Sequence, residues 1–144
     1  MALITEETGL NEIVARVFGA LREASHDKEH PFRYFALANP QNEDIGLRTV
    51  VLRRVDEHNH CWIYTDFRTD KVQRRAGEQA FLLFYHGGYK CQIRLHTHIR
   101  THYENARTKA AWQSIPDEAK YAYTSVTAPG SGLSSPADAY KWHT

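Results

Sequence analysis

The sequence predicts an α+β fold, a small antiparallel sheet or β-barrel with flanking helices. Three observations carry that expectation. Apolar residues recur every three or four positions over residues 8–25. Runs of alternating or β-branched residues, punctuated by turn formers, fill residues 32–103. From Glu104 the period returns to that of a helix.

The elements follow in order. Leu10, Ile13, Val14, Val17, Phe18 and Leu21 form one apolar stripe of a helix over 8–25, with Thr8 placed to cap it. His26 to Pro31 is a polar connector, and FRYFALAN (32–39) is a short strand. NPQNEDIG (39–46) reads as a loop by composition. LRTVVLRRVD (47–56) is a β-branched strand, EHNH (57–60) a turn and CWIYTD (61–66) the returning strand, together an antiparallel hairpin. Asp56, His58 and His60 surround that turn and are expected to face solvent.

Thr69 opens a short helix that Gly77 closes. QAFLLFYH (79–86) is apolar throughout and so is expected at the centre of the sheet. Gly87 and Gly88 turn the chain into YKCQIRLHTHIRTHY (89–103). There Cys91, Ile93, Leu95, Thr97 and Ile99 share one face; Gln92, Arg94, His96, His98 and Arg100 share the other. ENARTKAAWQ (104–113) and PDEAKYAYTS (116–125) read as helices, the second with Pro116 at its start. The Gly-, Ser- and Pro-rich tail (127–144) reads as a loop.

At 144 residues the chain is expected to be a single domain, 1–144. Its 18 basic and 17 acidic residues give a formal net charge of +1, which makes no electrostatic case for nucleic acid or an anionic membrane. Cys61 and Cys91 stand far apart with no C-x-x-C pair, and each lies in an apolar run, so two free thiols in a reducing compartment are expected. No apolar run approaches the ~20 residues of a membrane span. The start, MALITEETGL, lacks the basic region and apolar core of a signal peptide, so a cytoplasmic protein is expected.

The chemistry concentrates between residues 48 and 71. Arg48 and Arg53 flank Val50, Val51 and Leu52 on a strand; the guanidinium fork suits phosphate. Strict alternation puts positions five apart on opposite faces, so one ligand reaches both only at a bulge, strand end or edge. Tyr64 and Thr65 end the next strand, and Thr69 to Lys71 begin a helix, whose unpaired amides and partial positive charge attract anions. A basic solvated face of that helix, with Arg74 and Arg75, explains the same residues without a ligand. His96, His98 and His102 place two imidazoles on one strand face, but no third ligand is fixed by the spacing, so no metal is expected. No general acid or base stands out, so the catalytic residues stay unassigned.

In this order and spacing the residues resemble the pyridoxamine 5'-phosphate oxidase family, the FMN-binding split barrels, over about 32–123. Arg48-Thr49-Val50-Val51-Leu52-Arg53 is similar to the family's Arg-x-Val-Leu-Leu-Lys. Tyr64-Thr65-Asp66-Phe67-Arg68-Thr69-Asp70-Lys71 is similar to Tyr-Thr-Asn-x-x-Ser-Arg-Lys, with Asp70 where the family has a cation. Gln92 corresponds to a glutamine on a later strand. The resemblance implies an antiparallel split barrel. It puts Arg48, Arg53, Thr69 and Lys71 around the FMN phosphate, and Tyr64, Thr65 and Gln92 along the ribityl chain and ring. Thr49, Val50 and Val51 come with the same motif. It also implies a homodimer with FMN at the subunit interface and a small-molecule substrate. The family's substrate-phosphate positions fall on Ala111, Ile115 and Ala119, none suited to phosphate. The expectation is therefore an FMN-dependent oxidoreductase of unassigned substrate. Its alternatives are the pyridoxamine 5'-phosphate oxidase itself and a non-catalytic flavin or haem binder using His96 or His98.

Overall fold

The computed structural model describes residues 2–41, 43–65, 79–102, 105–120, 123 and 131–141. The chain divides into two compact units, 1–64 with 76–98, and 65–75 with 99–144.

The first unit holds a four-stranded antiparallel sheet in the order β2-β1-β5-β6. Its strands are β1 (Tyr34–Gln41), β2 (Asp44–Val51), β5 (Gln79–His86) and β6 (Cys91–His98), and a two-residue ladder joins β3 (Arg54–Val55) to β4 (Cys61–Trp62). β5, apolar in sequence, is interior to the sheet as expected. The expected barrel is not seen closed: among the described residues β2 and β6 remain the sheet's two edges. Antiparallel sheet with flanking helix is the architecture that stands.

The hairpin is built differently from the sequence expectation. β2 pairs with β1 from Tyr34↔Val51 to Gln41↔Asp44, so most of the expected 39–46 loop is strand. Pro40 is accommodated because it lies one residue from the end of its strand, where a missing N–H costs few ladder bonds. The expected strand 47–56 splits at Leu52 and Arg53. Leu52 N–H bonds the Arg33 carbonyl at 2.8 Å, and Arg53 N–H bonds the Trp62 carbonyl at 2.9 Å. The chain thus changes partners within two residues, and β3 pairs with β4.

Alternation sorts the sheet into two faces. Phe35, Leu37 and Asn39 of β1 lie beside Val50, Arg48 and Gly46 of β2, and Ala80, Leu82 and Phe84 of β5 beside Thr97, Leu95 and Ile93 of β6. This inner face carries most of the core: Phe84 and Leu52 are fully buried with Leu21 and Phe32, and Phe35 stacks on Phe84 at 4.4 Å. The outer face is exposed yet largely apolar, with Tyr34, Ile45, Leu47, Phe81, Leu83 and Tyr85.

α1 (Leu10–His26) packs on β3 through its C-terminal half, where Ala20, Leu21 and Ala24 are buried. Leu10 stays 82% exposed and Val14 53% exposed, so only part of the predicted stripe is used. Gly9, not Thr8, precedes the helix; Thr8 Oγ1 instead accepts the Thr5 N–H at 3.0 Å. Arg33 closes the other end, donating through Nη1 to the Ala24 carbonyl at 3.3 Å and to the Ser25 carbonyl. A buried cation on the last carbonyls suits the negative end of the helix dipole.

In the second unit, α2 (Ala106–Ser114) starts at a capping box: Asn105 Oδ1 accepts the Thr108 N–H at 3.0 Å, and Thr108 Oγ1 accepts the Asn105 N–H at 2.9 Å. α3 (Asp117–Lys120) follows Pro116. Within the tail read as a loop, Pro136–Tyr140 forms a turn of 3-10 helix, with Ser135 Oγ accepting the Ala137 N–H. No helix among the described residues is long and apolar enough to cross a membrane.

Candidate functional site

The residues singled out from sequence separate by face. Arg48 and Val50 lie on the inner face of β2, Thr49 and Val51 on the outer. Arg48 is directed by Asn39: its Nη1 and Nη2 both donate to Asn39 Oδ1, at 2.8 and 2.7 Å. Asn39 is only 3% exposed, an inward amide in an otherwise apolar alternation, and its buried oxygen requires such donors. Sequence reasoning missed Asn39. The signal was present: Phe35, Leu37 and Asn39 share a period of two, which turns the amide inward.

Arg53 follows the change of partners, so the alternation that would separate it from Arg48 is interrupted between them. Its guanidinium lies over the Tyr64 ring, 5.8 Å from the centroid, a cation–π contact that joins two of the expected residues. Arg33, also missed, is buried beside this pair. Burial first, and the Arg53 cation second, hold its guanidinium below the ordinary arginine range. The two cations thus weigh on one another, a balance that an anion nearby would relieve.

Gln92 lies exposed on the outer face of β6, opposite Tyr85 on β5. The rows beside it run Thr49, Ala36, Leu83, Arg94 and Leu47, Ala38, Phe81, His96 across all four strands. Gln92, Thr49 and Val51 therefore share a face that Arg48 and Val50 do not. The His96 ring stacks on Phe81 at 4.5 Å and lies 6.4 Å from His98. Among the described residues no three His, Cys, Asp or Glu are grouped to hold a metal ion. Thr65 belongs to the second unit. Thr69 and Lys71 lie outside the described residues.

At the 56–62 turn His58 and His60 face solvent as expected, but Asp56 does not. The Asp56 side chain is only 10% exposed. Its Oδ1 accepts the His58 and His60 N–H groups, each at 2.9 Å, and its Oδ2 accepts Trp62 Nε1–H at 3.0 Å and meets His60 Nδ1 at 3.0 Å. Burial alone would raise this carboxyl, but the bonds from Trp62, His60 and His58 outweigh it and hold it well below the usual range. Arg22 adds a bond to the Asp56 carbonyl at 3.1 Å and another to Asn59 Oδ1, fastening α1 to the turn. Cys61 and Cys91 are free. Burial, then the Asp56 charge, pushes the Cys61 thiol up to about 11, so it is no nucleophile.

No family model and no curated protein sequence matches the chain. Among solved structures, the chain is similar to a pyridoxamine 5'-phosphate oxidase-related, FMN binding protein from Nostoc punctiforme PCC 73102. The TM-score is 0.64 and the identity 23%, over 85% of this chain and 73% of that one. The antiparallel sheet is thus similar in fold to that protein, while the barrel closure that the arginine and tyrosine motifs imply is not seen among the described residues.

Proposed function

We propose that this chain is an FMN-binding flavoprotein that works as a homodimer and transfers electrons to or from a small molecule of unassigned structure. The observation that carries the reading is the outer face of the sheet. Tyr34, Ile45, Leu47, Phe81, Leu83 and Tyr85 are exposed together there, beside Gln92, on a fold shared with an FMN-binding protein. A continuous apolar face of this kind marks an interface, and a face that pairs with its own copy makes a two-fold dimer.

The residues present fit the cofactor. Arg53 at the strand break and Arg48, on the inner face of the edge strand β2, supply guanidiniums for a phosphate reached from that edge, joined by Lys71 and Thr69 from the sequence motif. Tyr64 and Gln92 supply a hydroxyl and an amide for the polar edges of a flavin, and the apolar outer face supplies a dry surface for its ring. Bound flavin would contribute the hydride or electron chemistry; the chain's part is to hold, orient and exclude water. Asn39 fixes the direction of Arg48, and Tyr64 that of Arg53. At the positions the family uses for a substrate phosphate, Ala111 and Ala119 offer no donor and Ile115 is buried. These features favour a substrate other than pyridoxamine phosphate.

The test is direct. Purified protein titrated with FMN is expected to quench flavin fluorescence at saturable stoichiometry, with one flavin per chain. Arg48→Ala and Arg53→Ala are each expected to weaken Kd about ten- to a hundredfold, the loss of one charge-assisted bond of roughly 1.5–3 kcal/mol. A protein that takes up no flavin, or arginine variants of unchanged affinity, would sink the reading.

A further inference from the structure

Two histidines outside this site share one corner of the first unit. His30 precedes β1, and His86 ends β5. Their rings meet edge to face at 5.5 Å. Both pack on Phe32, each at 5.4 Å, and Phe32 is fully buried beside Phe84. Tyr89 stacks on His86 at 3.9 Å. Gly88 keeps the turn close to the ring: a Cβ there would come within 3.0 Å of His86 Cε1.

Each imidazole accepts a backbone N–H through Nδ1. Phe32 N–H donates to His30 Nδ1 at 3.1 Å, and Tyr89 N–H donates to His86 Nδ1 at 3.0 Å. An amide N–H only donates, so in both bonds Nδ1 serves as the acceptor, the role of an unprotonated ring nitrogen. Glu23 of α1 and Asp27 just beyond it favour a charged His30; burial and the facing His86 outweigh them and lower its pKa. His86 faces His30 and the Tyr89 ring. Lys28, Glu29 and Lys90 flank the two positions in the chain and are exposed.

We propose that His30 and His86 form an acid-sensitive clamp that regulates the adjoining flavin site. A proton added at Nδ1 turns the acceptor into a donor facing a donor, so the backbone bond is lost. Two imidazoliums at this separation also repel. The clamp reaches the site from both sides. The pair His86↔Cys91 is followed directly by Tyr85↔Gln92. Phe32 leads into Arg33, whose carbonyl holds Leu52 just before Arg53. Because His30 is depressed when folded, its neutral form contributes fully above the ordinary histidine value of 6.5, and that contribution is lost as pH falls through the lowered one. The regulatory consequence rests on the flavin reading; the clamp itself does not.

Amide hydrogen exchange on the flavin-free full chain, corrected for intrinsic rates, tests the clamp. Between about pH 7.5 and 5, protection at the Phe32 and Tyr89 amides is expected to fall by about tenfold or more, while Leu82 in mid-sheet holds. His30→Asn and His86→Asn keep an acceptor oxygen that does not titrate. Each is expected to flatten the response at its own amide. Protection unchanged with pH in the natural chain, or a response persisting at Phe32 in His30→Asn and at Tyr89 in His86→Asn, overturns the clamp. With FMN loaded, release on acidification is expected from the natural chain and not from the variants; equal release from all three overturns the regulation. A chain that shows the exchange response but binds no FMN refutes the flavin reading and leaves the clamp standing.

Discussion

Asp56 has more consequence than its place in a polar turn implies. One carboxylate receives two backbone amides, an indole and an imidazole, and so fixes residues 56–62 as a rigid loop. Asp56→Ala is expected to cost about 1–3 kcal/mol in urea denaturation, because several donors lose a charged acceptor together. The folded carboxyl is depressed, so its contribution is fully present above the unfolded value of about 3.9 and is lost as pH falls below that toward the folded value. Asp56→Asn should therefore flatten the acid limb of the stability profile. Cys61 gives a second check at this scale. With its thiol pushed up to about 11, it should resist a disulfide reagent at about pH 8 in a Cys91→Ser chain and react fully once urea unfolds the protein. Rapid labelling of native protein would contradict the burial described.

At the scale of elements, the strand break at Leu52 and Arg53 decides how the motif residues are disposed. A continuous strand 47–56 would have sent Arg48 and Arg53 to opposite faces; the change of partners, from Arg33 to Trp62, removes that constraint. Leu52 anchors the break by being fully buried, so Leu52→Ala is expected to destabilise the fold by about 2–5 kcal/mol, measured by chemical denaturation. The individual elements were legible because each has a local period. α1, the central β5 and the two faces of β6 all follow from residues three or four apart, or two apart. Pairing was not legible. LRTVVLRRVD contains nothing local that says its first half belongs to β1 and its end to β4, since that choice is set by contacts distant in sequence. The composition of 39–46 misled for the same reason: Asn, Pro and Gly favour a loop locally, and the ladder from Asn39↔Gly46 onward overrides them. Of the site, the arginines and Tyr64 were readable as residue types. Arg33 was not, because its role is to hold a helix end; the inward turn of Asn39 was readable from its period, but its pairing with Arg48 appears only when the partners are in place.

For the whole molecule, the decisive feature is a sheet whose two faces are both apolar while only one is covered within the first unit. Leu47 is 72% exposed and Ile45 74% exposed on an edge strand, with Phe81 and Leu83 beside them across the register. Isolated exposed apolar residues need no explanation, but a set spanning adjacent strands on one face does. Water against such a face is costly at about 25 cal/mol per Å² of apolar area, so covering it is favoured, and in the proposed reading a second copy does so. The row Leu47, Ala38, Phe81, His96 crosses the sheet, so charges placed at Leu47 and Phe81 would fall at separate points of one interface. If the proposed dimer forms through this face, Leu47→Glu with Phe81→Glu should leave the chain a monomer in light scattering coupled to size exclusion. Both side chains point away from the core, so the circular dichroism of the fold should be retained. If flavin is held at that interface, FMN retention should fall in the same variant although Arg48, Arg53 and Tyr64 are untouched. A natural chain that runs as a monomer at micromolar concentration would remove the dimer. A monomeric variant that keeps full flavin affinity would place the cofactor within one chain, on the Arg53 and Tyr64 side of the strand break instead of on the open face.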